Sequence, residues 1–112
     1  MLERIINDVY EWHKQTFPDA DKESQLRKLE EELNEYYEKY DSSELADVII
    51  CSISLWWRFK CPIGHAVFVY ATSIVSGPKA NLIVSEKMKI NLKRKWHNVD
   101  GIYRHDEGVK DE

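Results

Sequence analysis

Residues 30–47 read EEELNEYYEKYDSSELAD, eight carboxylates in eighteen positions, and the chain then runs directly into VIICSISLWW. Glu32 and Glu35 stand three apart, so on a helix they project to neighbouring positions about one turn apart. Asp41-Ser42-Ser43 is a tight break, and Asp41 with Glu44 three residues on has the form of a capping box. A helix ending before this break and another starting near Ser43 must lie side by side and antiparallel. Counting outward from the turn brings Glu35 level with about Asp47, so the pairs Glu32/Glu35 and Glu44/Asp47 can face each other. On the later helix Glu44, Asp47, Cys51 and Ser54 share one side, with Ala46, Ile49 and Ile53 opposite. That helix is apolar almost all round through Trp57, as a buried helix is.

The rest of the chain is read outward from this hairpin. Leu2, Ile5, Ile6, Val9 and Trp12 recur at helical spacing, giving a first helix of about residues 2–16. TFPDADKES interrupts it: Pro18 biases Phe17 away from helix, and Asp19 or Asp21 can cap the next helix. That second helix, about 22–40, carries Leu26, Leu29, Leu33, Tyr36, Tyr37 and Tyr40 on one stripe. After Cys61-Pro62-Ile63-Gly64 comes a shorter apolar helix of about 64–75. Ser76-Gly77-Pro78 then restarts the chain, with Pro78 suited to a first helical turn. The last long helix is expected over about 79–96, with Met88, Leu92 and Trp96 or Lys95 as its core stripe. GIYRHDEGVKDE reads as a partly ordered tail, with 106–112 a flexible end. The expected fold is all-α, a four-helix-bundle-like arrangement of antiparallel hairpins in one domain of residues 1–105.

Composition agrees with that architecture. With 112 residues, three prolines and four glycines, the chain suits one domain of long helices better than turn-rich sheet. Its two cysteines, Cys51 and Cys61, form no CxxC, and free thiols of a reducing compartment are expected. The N-terminus carries charge among its apolar residues at helical spacing, unlike a signal peptide. The longest apolar stretch, ADVIICSISLWW, is too short to span a bilayer. A cytoplasmic protein without a membrane role is the expectation.

Charge is unevenly distributed. Residues 19–47 hold eleven acids against four bases, and residues 79–104 hold seven bases against two acids. Four carboxylates converging beside a core would raise one another's pKa, and a hard cation such as Mg²⁺ or Mn²⁺ relieves this. Taken alone, Glu32 and Glu35 could be surface charge, and Glu44 could complement a helix N-terminus. Two acidic pairs across one short hairpin are better explained by metal. In KMKINLKRKW (87–96), Lys87, Asn91 and Arg94 or Lys95 fall on one helix face, a combination suited to phosphate oxygens. The alternative is a solvated basic face. Together, metal carboxylates and a phosphate-binding face describe a nucleotide polyphosphate site.

These residues resemble the MazG-like all-α nucleoside triphosphate pyrophosphohydrolases. KLEEELNE followed by ELADVII is similar to that family's EExxE…ExxD signature, and the Lys-x-x-x-Asn-x-x-Arg-Lys-Trp run to its fourth-helix motif. WHKQTFPDADKESQLRKLEEE and GIYRH resemble the small phage and prophage members described as dATP/dGTP diphosphohydrolases. One departure is that only eight residues separate Glu35 from Glu44, fewer than in the commonest form of the signature.

The resemblance implies hydrolysis of a (deoxy)nucleoside triphosphate, with purine dNTPs favoured, to the monophosphate and pyrophosphate. Glu32, Glu35, Glu44 and Asp47 would hold Mg²⁺ (Mn²⁺ as substitute), with two or more ions per site. Glu31 or Glu35 would orient or deprotonate the attacking water. Lys87, Asn91, Arg94 and Lys95 would bind phosphates, and His13, Phe17 and Gln25 would meet the base and sugar. Tyr103, Arg104 and His105 would fold over the nucleotide. The family also implies a homo-oligomer, dimer or tetramer, which suits a nearly all-apolar third helix that a lone chain of this size covers with difficulty.

Bland alternatives stand beside these roles: a satisfied core or surface histidine at 13, a staple at Phe17, plain helix surface at Gln25. A non-catalytic helical interaction module is the competing function. A di-iron bundle lacks its Glu-x-x-His motifs here, and a nucleic-acid binder is disfavoured by overall acidity and the want of a known motif.

Overall fold

The computed structural model of the chain describes residues 2–99 and 101–105. It is mostly helical: α1 (Leu2–Thr16), α2 (Lys22–Lys39), α3 (Ser42–Ile53), α4 (Pro62–Ile74) and α5 (Gly77–Lys93). The expected flexible end, 106–112, lies outside the described residues.

Helix α3 is the hub, packed against each of the other four helices. From Leu45 to Leu55 every residue except Asp47 is buried, and Ile49, Ile53 and Leu55 have no exposure at all. Each such side chain contributes roughly 1.5–3 kcal/mol through burial. Ile5, Ile6 and Val9 of α1, Leu29 and Tyr36 of α2, Phe68 and Ala71 of α4, and Val84 and Met88 of α5 complete the core. Cys51 and Cys61 are free, buried thiols. No single helix among the described residues is long and apolar enough to cross a membrane.

Local chemistry sets the helix ends that frame the site. Asp21 caps α2 with Oδ1 accepting from Ser24 N at 2.8 Å, and Ser24 Oγ accepts from Asp21 N at 3.1 Å. The reciprocal capping box is therefore here. At α3, Asp41 Oδ1 accepts from Glu44 N at 2.9 Å, while the Glu44 carboxylate lies 3.7 Å from Lys39 Nζ. Tyr40 closes α2 with φ 55° and donates its N–H to Tyr36 O at 2.7 Å, which makes the hairpin as tight as the sequence requires.

Beyond Ile53 the third helix widens into a π-helical turn, Ser54–Arg58, instead of remaining α-helical to Trp57. Such turns re-aim the side chains beyond them. Gly64 lets α4 approach that turn: a Cβ there would meet Trp56 N at 2.5 Å and Ser52 O at 2.8 Å.

The C-terminal expectation needs correction. Helix α5 stops at Lys93, and beyond it two strands pair antiparallel as a hairpin, β1 (Trp96–Val99) with β2 (Ile102–His105), setting Trp96 opposite His105 and Val99 opposite Ile102. Trp96 therefore leaves the helix, and Leu92, expected in the core, is 68 % exposed. The indole Nε1 of Trp96 donates to Asn91 O at 3.2 Å, satisfying a carbonyl that a continued helix would have used. The ring packs edge-on against Trp12 and Phe17, with centroids 6.0 and 5.1 Å away.

Candidate functional site

A cavity of about 430 Å³ opens where α1, α2, α3, α5 and the hairpin meet. The acidic pairs reach it from two helices. Glu31, Glu32 and Glu35 line it from α2, Glu44, Asp47 and Cys51 from α3, and Ser54 from the start of the π-helical turn. Lys87, Asn91 and Arg94 come from α5 or its end, while Trp96, Tyr103, Arg104 and His105 come from the hairpin. His13, Phe17 and Gln25 also line it. Lys95 does not: it lies just past the end of α5, is exposed, and stands outside the cavity lining.

Among the described residues Glu32 is the least exposed acid, at 8 %. Burial, the nearby Asp47 charge and a hydrogen bond with Glu35 push its carboxyl up to about 9, so near neutrality it holds a proton. That proton is donated to Glu35, whose own pKa falls chiefly because it accepts this bond. Asp47 is pushed up to about 6 by burial, although Lys87 Nζ stands 3.3 Å from its Oδ2. Lys87 is itself only 6 % exposed, so this ion pair is substantially desolvated. Burial also raises the Cys51 thiol well above the ordinary range, leaving it an inert wall of the cavity.

Asn91, 4 % exposed, accepts at Oδ1 from Arg94 Nη1 at 3.2 Å, which ties the amide to the guanidinium. Across the mouth, Arg104 grips both oxygens of Glu31. Tyr103 lies against Phe17 with ring centroids 4.5 Å apart, and His105 meets Trp96 at 5.6 Å. The expected partly ordered tail is thus, through His105, one wall of the cavity.

The donor set suits a hard divalent cation. The group hydrogen-bonded to buried Glu32 is another carboxyl, and a cation could take the place of its proton. Among the described residues, however, no three His, Cys, Asp or Glu side chains are already drawn into a ligating group. The two pairs share a cavity but do not yet converge. Binding an ion would require the carboxylates to move inward and the Asp47–Lys87 contact to adjust.

Two cations not singled out in the sequence belong to the site's surroundings. Lys28 lines the cavity one turn before Glu32 and Glu31. Arg58, at the end of the π-helical turn, reaches under α1 to His13 Nδ1 at 3.0 Å and to the carbonyls of His13, Phe17 and Pro18. Its sequence signal is weak: a cation at the end of a long apolar run.

The chain matches no protein-family model, no curated protein and no solved structure.

Proposed function

We propose that this protein is a Mg²⁺-dependent nucleoside triphosphate pyrophosphohydrolase with a MazG-like helical-bundle core, cleaving NTP + H₂O to NMP and pyrophosphate. The observation that supports it best is the meeting of four acids, Glu32, Glu35, Glu44 and Asp47, with Lys87, Asn91 and Arg94 around one cavity. A triphosphate carrying divalent cations needs both signs of charge in one place.

In this reading Glu32, Glu35, Glu44 and Asp47 hold the ions, which when bound would polarise the α-phosphoryl group and acidify water. Lys87, Asn91 and Arg94 bind phosphate oxygens, with Arg94 already oriented by Asn91. Arg104, held at the mouth by Glu31, is placed to close over the departing pyrophosphate. Glu31 or Glu35 orients or deprotonates the attacking water. The aromatic floor of Phe17, Trp12 and Trp96 offers the base a face for stacking. Purine deoxynucleotides are the preferred substrates by the family resemblance.

A homo-oligomer, dimer or tetramer, accompanies this reading, although its ground is not α3, which the single chain already buries. Helix α4 buries Gly64, Phe68 and Ala71 but leaves Ile63, Val69, Tyr70 and Ile74 exposed, and no charged residue occurs from Cys61 to Pro78.

One observation favours the other reading, a non-catalytic helical interaction module. Lys87 and Lys39 already stand beside Asp47 and Glu44, so two of the four acids are partly neutralised without metal. Incubation with each of the eight common NTPs and dNTPs plus Mg²⁺, with products resolved by ion exchange, separates the two. Monophosphate and pyrophosphate, lost in Glu35→Gln and Asp47→Asn, is the expected result. Absence of turnover with all eight would favour the module.

A further inference from the structure

Where the end of α1 meets α2 and α3, four groups are joined in a line by hydrogen bonds. Arg58 Nη1 lies 3.0 Å from His13 Nδ1, His13 Nε2 lies 3.1 Å from Gln25 Oε1, and Gln25 Nε2 lies 3.3 Å from the Cys51 carbonyl. Both ends of this line have one possible polarity. A guanidinium has N–H donors and no acceptor, and a peptide carbonyl only accepts.

Arg58 therefore requires a bare lone pair on His13 Nδ1. The single proton of the neutral ring sits on Nε2 and is donated to Gln25 Oε1. With its oxygen so engaged, the amide turns its nitrogen to Cys51 O. Reversing the amide would set N–H against N–H at His13 and oxygen against oxygen at Cys51. His13 is 4 % and Gln25 5 % exposed, so water is poorly placed to relieve either conflict. Arg58 is itself anchored by the carbonyls of His13 at 3.2 Å, Phe17 at 2.8 Å and Pro18 at 3.2 Å, where α1 ends and its own acceptors need donors.

We propose that Arg58, acting through His13, is a positioning residue that together with the Cys51 carbonyl fixes which way round the Gln25 amide faces the cavity, and that this fixed order of donor and acceptor discriminates between nucleobases. One N–H of the amide goes to Cys51 and one lone pair to His13, which leaves one N–H and one lone pair for a ligand. A 6-oxo purine and a 6-amino purine present donor and acceptor in opposite order along their pairing edge. A locked amide pairs with one and sets like against like with the other; an amide free to turn serves both. This role rests on the nucleotide-hydrolase reading above.

The test is ¹⁵N-resolved NMR of the imidazole nitrogens in the full chain, with the His13 signals identified by their loss in His13→Asn. It is paired with the kcat/KM ratio for dGTP against dATP in Mg²⁺. The wild-type ring is expected as the Nε2–H tautomer. Arg58→Lys keeps a donor-only partner, so tautomer and nucleotide ratio are retained. Arg58→Gln can accept, which leaves only the 3.3 Å bond to the Cys51 carbonyl to hold the amide, so the Nδ1–H tautomer becomes populated and the ratio falls by about threefold or more. An equal loss of ratio in both variants would make Arg58 a helix cap only and overturn the role. The wild-type tautomer decides even if a variant fails to fold. The Nδ1–H form in a chain that hydrolyses nucleotides overturns this role alone. The Nε2–H form in a chain that neither binds nor hydrolyses any of them overturns the hydrolase reading and the base-reading role together.

Discussion

Arg104 and Glu31 are 73 residues apart in sequence, yet two parallel hydrogen bonds of 3.1 and 2.9 Å join them across the mouth of the cavity. The contact ties β2 to α2 and places a guanidinium beside the acidic helix. Both side chains are partly exposed, so Arg104→Ala should cost at most about 1 kcal/mol of stability. On the hydrolase reading its functional effect should be larger, with hydrolysis falling by about 10²-fold because a cation available to developing phosphate charge is lost. Urea melts and initial rates check both. If Glu31 serves only to hold Arg104, then Glu31→Gln and the double variant should be no slower than Arg104→Ala.

The metal-free protein should lose stability as pH rises from about 6.5 to 9. Glu32 is raised to about 9 in the folded state from an ordinary value of 4.5, so the folded chain keeps a proton that the unfolded chain releases. Its favourable contribution is complete below 4.5 and is lost as pH climbs toward 9, by up to about 1.4 kcal/mol per pH unit. Asp47, raised to about 6, acts in the same direction at lower pH. His13, lowered to about 4 by burial and then by the Arg58 charge, acts oppositely between 4 and its ordinary 6.5. Above 6.5, Glu32 is left to dominate among these three. Thermal melts across this range should show the decline, Glu32→Gln should flatten it, and added Mg²⁺ or Mn²⁺ should reverse it by taking the proton's place.

Lys87→Met should destabilise the metal-free protein by about 3 kcal/mol, because it leaves Asp47 largely desolvated without its cation. Divalent metal should recover part of that loss, since an ion held by Asp47 supplies the missing charge. Denaturant titrations with and without Mn²⁺ would read the difference. Equal losses in both would argue against Asp47 as a ligand.

Gly64→Ala tests the architecture apart from the chemistry. The new Cβ would press on backbone atoms of Ser52, Leu55 and Trp56, none of which can rotate away. A loss of about 1–3 kcal/mol is expected from overpacking. Metal binding measured by calorimetry should change little, because Gly64 is not among the cavity-lining residues.

The helical hairpin was legible because its signals are local. Asp41 at the cap, three-residue carboxylate spacing and the apolar run after Asp47 each act within one or two turns, and α2 and α3 conform to them closely. The C-terminus was misread because KMKINLKRKW keeps helical periodicity past its real end. The partners that Trp96 meets outside the helix are distant in sequence: its ring packs against Trp12 and Phe17. The Asp100-Gly101 pair, a favoured hairpin turn, was the overlooked local signal. Arg58 escaped notice because its partners lie 40 to 45 residues away, beyond the reach of any local signal.

By itself, the sequence determined which residues share a helix face, since periodicity and capping act over a few residues at a time. It thereby placed the acids of α2 and α3 on matching sides of one hairpin. Tertiary packing alone decided which faces share a cavity, that Lys87 stands 3.3 Å from Asp47, and that His105 forms a wall of the site. It also decided the protonation of Glu32 and the partners of the His13 ring. Those depend on desolvation and on partners from other helices, and neither exists until the chain has folded.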